Sequence, residues 1–144
     1  AIVIAAFTDI FSFFVGKLIG RNYLLPNISP NKTLEGFIAG IFITPIILIL
    51  LATDIKKIYP IDFLNINVLA ASEFVQSYGF LFAFLVFTLC SAFSIFGDLI
   101  ASKAKRDFEI KDFSNFLPGH GGFLDRIDSH ILCIPVFYFF ASSI

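Results

Sequence analysis

Asp98, Ser102 and Lys105 stand at i, i+4 and i+7 in the stretch GDLIASKAKR. On a helix that spacing puts all three on one face, with Arg106 beside it. A carboxylate one turn from a hydroxyl and two turns from an ammonium suits a metal–phosphate site. The acid holds a hard cation through oxygen, and the cation draws phosphate oxygens that Lys and Arg also engage. The plainer alternative is a basic flank whose long side chains reach lipid headgroups, which Lys103 and Lys105 alone would satisfy. Asp98 fits that alternative less well, because an acid at the end of an apolar run needs a partner.

A second polar set follows in LPGHGGFLDRIDSH, residues 117–130. Glycines on both sides of His120 let the backbone approach a ligand closely, so that Gly121 and Gly122 can present amides to anionic oxygens. Asp125 and Asp128 are three residues apart with Arg126 between them, and share a helical face if a helix begins near Phe123. Paired carboxylates of this kind hold Mg²⁺ through one or two contacts and leave positions for substrate phosphates. The competing explanation for the two acids is complementation of a helix N-terminus. His120 either donates to phosphate or steadies the loop, and His130 reads as a satisfied interface histidine. A third acid, Asp9, lies inside an apolar run and is expected to face the bundle interior or a wet cavity.

These groups need positioning elements, and the composition says which kind. Of 144 residues 58% are hydrophobic, 21 are Phe and 15% are charged, with a mean hydropathy of +0.90. A soluble domain has about 45–50% apolar and about 25% charged residues. There are ten basic and eleven acidic residues, and eleven of them fall between Asp98 and Asp128. Gly36–Thr53, Phe74–Gly97 and Ser129–Ile144 carry no charge. As a helix, Phe74–Gly97 would exceed the roughly 30 Å hydrocarbon thickness. The expectation is an all-α integral membrane protein, a bundle of about four transmembrane helices with a cytoplasmic polar catalytic loop. The spans are placed at about 1–19, 34–53, 78–101 and 129–143, within one catalytic domain over 1–144 whose signature loop is 98–128.

Three connections remain. Gly20–Thr33, with Pro26 and Pro30, reads as an ordered loop whose Thr33 caps the next helix. Asp54–Ser77 is mildly amphipathic, with a short interfacial helix after Pro60. Ser102–Asp128 is the charge-dense loop. Lys and Arg concentrate in the first and third connections, which places both on the cytoplasmic side of a multi-pass protein. The net charge of −1 supports neither nucleic acid nor a polybasic surface protein. Cys90 and Cys133 sit among apolar neighbours and read as small core residues. Because Ala1 begins inside an apolar run, the chain reads as a piece of a longer protein.

The segment SKAKRDFEIKDFSNFLPGHGGFLDRID, Ser102–Asp128, closely resembles the signature of the phosphatidate cytidylyltransferases, or CDP-diglyceride synthetases. The matching positions are Ser102, Lys105-Arg106, Lys111-Asp112 after a four-residue gap, His120-Gly121-Gly122, Asp125-Arg126 and Asp128. Ala104 departs from the larger aliphatic usual there. Upstream, Asp9 with Gly16-Lys17 and Gly20-Arg21 is similar to the family's acid-bearing helix and its basic exit. ISPNKTLEG, Ile28–Gly36, resembles its Ser-Pro-x-Lys-Thr-x-Glu-Gly loop, with Asn31 in place of a frequent lysine. The likeness covers the chain as the C-terminal portion of a family member.

This resemblance implies transfer of CMP from CTP to phosphatidic acid, giving CDP-diacylglycerol and pyrophosphate. It implies an inner or plasma membrane location, a homodimer, Mg²⁺ as cofactor with a second metal ion as an option, and no nucleic-acid partner. Asp98 and Asp125 would ligate Mg²⁺, with Asp128 as ligand or support. Lys105, Arg106, Lys111 and Arg126 would bind phosphates. Ser29, Lys32 and Thr33 would close the site from the other loop, with Ser102 and His120 also toward substrate. Two other readings compete with it, a CTP-using membrane kinase of a polyprenol or phytol and a transporter fragment conducting ions past Asp9 and Asp98.

Overall fold

A computed structural model describes residues 1–25, 29–58, 73–110 and 124–142. Helix α1 covers Ile2–Ile19, strands β1 and β2 cover Tyr23–Leu25 and Ser29–Thr33, and α2 covers Leu34–Ile58. Residues 73–78 are helical (α3), and α4 and α5 cover Phe80–Asp107 and Leu124–Ser142. Among the described residues, three helices are long and apolar enough to cross a membrane, over Ile2–Ile19, Leu34–Ala52 and Phe80–Asp107, while the apolar part of α5, Ile127–Ser142, is shorter. At about 1.5 Å per residue α4 is about 42 Å long, so its charged last turns extend past a hydrocarbon layer of roughly 30 Å.

The loop reading of Gly20–Thr33 is corrected here. Its described residues form an antiparallel hairpin, with Tyr23 opposite Thr33 and Leu25 opposite Ser29. The all-α description therefore omits one two-stranded sheet. Such short strands offer little alternation to read, and Pro30 argues against a strand unless it lies on an edge. Of the expected interfacial helix after Pro60, only 73–78 lies within the described residues.

Neighbouring helices run in alternating directions. Helix α1 packs mainly on α2, α4 on α5, and α2 joins the two pairs through α4. Lipid is as apolar as a leucine side chain, so helices in it associate by close packing and polar contacts. Both devices are present. A Cβ on Gly16 would come within 2.8 Å of Thr33 Oγ1, and one on Gly36 within 3.1 Å of the Gly16 Cα while overlapping the Ser12 carbonyl. One on Gly40 would sit 3.2 Å from the Thr8 carbonyl. The α1–α2 crossing is thus backbone against backbone. Between α1 and α4, the buried Thr8 hydroxyl lies 3.1 Å from that of Ser91 and donates to the Ile4 carbonyl at 2.7 Å.

At the N-terminal end of α4 the core is aromatic. Phe74 of α3 contacts Tyr78, Phe87 and Phe137 with ring centroids 4.8, 5.9 and 5.7 Å away. Ile4, Ile49, Val86 and the thiols of Cys90 and Cys133 complete that core. The polar groups gather toward the other end of α4.

Candidate active site

Helix α4 continues unbroken to Asp107, which brings the i, i+4, i+7 set onto one face as its spacing predicts. The Ser102 hydroxyl donates to Asp98 Oδ1 at 3.3 Å. The helix then closes abruptly. The Glu109 amide donates to the Arg106 carbonyl at 3.0 Å and the Ile110 amide to that of Lys105 at 2.9 Å. Glu109 adopts φ 57° to do so, a left-handed closure usually made by glycine. Lys105 and Arg106 occupy this last turn, where cations complement the helix dipole. Lys105 is half-buried and Arg106 exposed.

The hairpin delivers a second cation. Lys32, on β2, forms an ion pair with Asp98 across 66 residues of chain. Both side chains retain about a fifth of their exposure (22% and 23%). The hairpin is held at its base. Thr33 Oγ1 accepts the Gly36 amide at 3.2 Å, capping α2 as expected. The Leu34 amide donates to the Asn22 carbonyl at 2.8 Å, and the Asn22 side-chain amide donates to Glu35 Oε1 at 2.9 Å.

Helix α5 supplies the opposing wall. Asp128 is buried, its Oδ1 accepts the Ser129 amide at 2.8 Å, and its Oδ2 lies 3.7 Å from Lys105 Nζ. Gly97 makes this approach possible, since a Cβ there would lie 2.8 Å from the Asp128 carbonyl oxygen. Asp9 of α1 joins the group within electrostatic reach of Asp98, Lys32 and Asp128. Ser129 Oγ is 3.3 Å from His130 Nδ1.

Three carboxylates from α1, α4 and α5 therefore meet two ammonium groups from β2 and α4 at one end of the bundle. Among the described residues, no three Asp, Glu, His or Cys side chains stand close enough to hold a metal ion between them.

Asp125 and Arg126 stand in the first turn of α5, one turn before Asp128, and their side chains lie outside the described residues. Lys111, His120, Gly121 and Gly122 also lie outside them. Ser29 is half-buried in β2 opposite Leu25. Thr33 is committed to its cap and to packing on Gly16 and Gly20. Ser129 and Gly97 were not picked out as site residues from the sequence. A glycine directly before the acid that ends an apolar run was the available signal for Gly97.

The chain matches the model of the cytidylyltransferase family over residues 1–144. It is 39% identical over 139 residues to the phosphatidate cytidylyltransferase of Bacillus subtilis (strain 168), covering 96% of this chain and 45% of the relative. It is 38% identical over 136 residues to that of Staphylococcus aureus (strain COL), covering 94% and 45%. With that of Aquifex aeolicus (strain VF5) it shares 35% identity over 130 residues, covering 90% and 41%. The chain thus spans under half the length of these curated relatives.

Proposed function

Because the chain belongs to the cytidylyltransferase family, we propose that it is the C-terminal catalytic part of an enzyme that transfers CMP from CTP to phosphatidic acid. The observation that carries this reading is the convergence of Asp98, Asp128 and Asp9 with Lys32 and Lys105 at one end of an apolar bundle. A phosphate oxygen of phosphatidate attacks the α-phosphorus of CTP. The bond from that phosphorus to the bridging oxygen breaks, and pyrophosphate departs with the bonding electrons. The nucleophile is already anionic, so the site needs no strong base. It must bring together two anions that repel each other and balance charge on the leaving group.

Lys32 and Lys105 are suited to that task, with Arg106, Lys111 and Arg126 completing the cationic set and Ser102 orienting Asp98. Ser29 and His120 would donate to phosphate, and Gly121 and Gly122 would let the backbone come close to it. The donor set fits Mg²⁺: hard carboxylate oxygens that already attract ammonium groups in this structure. Asp98, Asp125 and Asp128 would hold the ion, and a second ion remains an option. When bound, Mg²⁺ supplies neutralisation of phosphate charge and a template for in-line displacement.

The wider arrangement belongs to the same proposal. Helix α5 is the fourth span of a multi-pass protein of an inner or plasma membrane, with the site on the cytoplasmic side. The excess of Lys and Arg in the connections at this end supports that orientation. The homodimer rests on the resemblance.

The test is incorporation of radiolabelled CTP into lipid by the full-length protein in membranes. CDP-diacylglycerol and pyrophosphate should form with Mg²⁺ and stop on chelation. Asp125→Asn and Asp98→Asn should each abolish turnover. Release of CDP would point instead to a CTP-using kinase, and CTP-independent ion flux to a transporter. Asp125→Asn turning over at near the unsubstituted rate would remove that acid from catalysis.

A further inference from the structure

Among the described residues, Lys32 is the one member of the charged cluster that no helix carries. Asp9, Asp98, Lys105 and Asp128 belong to α1, α4 and α5, whose places are set by helix packing. Lys32 reaches Asp98 from β2, in a sheet of only two strands. Such a hairpin is marginally stable in isolation, and its pairing is irregular between Tyr23 and Leu25. The angle at which it delivers Lys32 must be fixed at its base.

Asn22, which leads into β1, is gripped there on both backbone groups and on its side chain. Its carbonyl accepts the Leu34 amide at 2.8 Å. Its own amide donates to the two carboxylate oxygens of Glu35, at 3.2 and 3.3 Å. Its side-chain amide donates to Glu35 Oε1 at 2.9 Å. An acid in the first turn of α2 would complement the helix dipole without any of this. The dipole does not explain why the carboxylate turns back to a residue thirteen positions earlier.

We infer that Glu35 is a positioning residue for the proposed CMP transfer: by holding Asn22 it fixes the hairpin and keeps Lys32 aimed at the cluster. The inference rests on the reading that Lys32 meets substrate phosphate there. Glu35 acts through the hairpin and supplies acceptor oxygens, so its charge is dispensable. Hydrogen bonds at an exposed base add little to global stability. Their loss is felt as misplacement, and about 1 Å at a reacting group can cost about a hundredfold in rate.

Full-length protein in membranes is assayed for CMP transfer. Glu35→Ala should lower kcat about tenfold, while the unfolding temperature in detergent moves by less than about 4 °C. Glu35→Gln keeps an acceptor oxygen and should stay within about threefold of the unsubstituted rate. In a Lys32→Met background, Glu35→Ala should cost less than about twofold more, because no ammonium is left to aim. Equal loss in the Gln and Ala variants, or a further tenfold loss in the Met background, overturns the inference.

A second readout needs no turnover. Spin labels on cysteines introduced at Leu25 and Phe108, exposed at the ends of β1 and α4, report the distance from hairpin to helix. The distance distribution should be narrow with Glu35, broad with Glu35→Ala and narrow again with Glu35→Gln. An unchanged distribution in the Ala variant overturns the inference. If the unsubstituted protein makes no CDP-diacylglycerol, the proposed reaction fails, and the label distances still decide whether Glu35 holds the hairpin.

Discussion

Replacing Gly97 by alanine puts one methyl group between the two halves of the candidate site. The new Cβ would lie 2.8 Å from the Asp128 carbonyl oxygen, against the 3.4 Å at which ordinary contact begins. The obstacle is backbone and cannot turn aside, so the start of α5 must retreat from α4 by about 0.6 Å, carrying Asp128 with it. Overpacking of this kind costs about 1–3 kcal/mol. Lys105 and Asp128, already 3.7 Å apart, would lose their contact. A displacement of about 1 Å at reacting groups can cost about a hundredfold in rate, so kcat for CMP transfer should fall about ten- to hundredfold. The assay is incorporation of radiolabelled CTP into lipid, normalised to protein recovered in the membrane. Leu85→Ala, on the exposed outer face of α4, serves as the control and should keep its activity. If Gly97→Ala keeps more than half of kcat with an unchanged unfolding temperature in detergent, the close approach of α4 and α5 does not set the geometry of the site.

Other perturbations reach different parts of the arrangement. Lys32→Met leaves the half-buried Asp98 carboxylate without its cation, and should lower CMP transfer at least about a hundredfold with a loss of about 1–3 kcal/mol in stability. Lys32→Arg should recover part of the rate, and full activity in the Met variant would remove the hairpin from the chemistry. Glu109→Gly relieves the left-handed backbone that closes α4 and should stabilise the protein by about 1 kcal/mol in detergent melting, with turnover unchanged. Thr8→Val deletes the hydroxyl linking α1 to Ser91 at nearly constant volume. Its cost should be about 0.6 kcal/mol, the usual size of a hydrogen bond between helices in a membrane.

What could be read in the chain beforehand was whatever depends on near neighbours. Uncharged runs placed the helices, with α4 reaching six residues beyond its expected end and α5 beginning five before its expected start. The spacing of Asp98, Ser102 and Lys105 on one face followed from helical geometry, as did the Thr33 cap. Contacts between distant segments were not legible in the same way. Nothing local marks Lys32 as the partner of Asp98, because that pair depends on a hairpin returning α2 against α4. Asp9 stood out as an acid in oil, yet its neighbours could be named only once α1, α4 and α5 had been packed. Lys105 shares the face of Asp98 as its spacing requires, but its approach to Asp128 of α5 could not be read locally, since a long flexible side chain answers to carboxylates near it in space.

The glycine crossing of α1 and α2 has a consequence for the chemistry at Asp9, less than two turns away on α1. Ser12 and Gly16 admit Gly36 and Gly40 in one vertical setting, and sliding α1 by a single residue would shift it about 1.5 Å and swing every side chain by about 100°. Asp9 would then turn away from the other two acids while remaining on the same helix. A few missing side-chain atoms thus work as a ruler, measuring the depth at which an intramembrane charge is presented. An enzyme built this way should tolerate many changes on its lipid-facing side and almost none in the volume of those four residues.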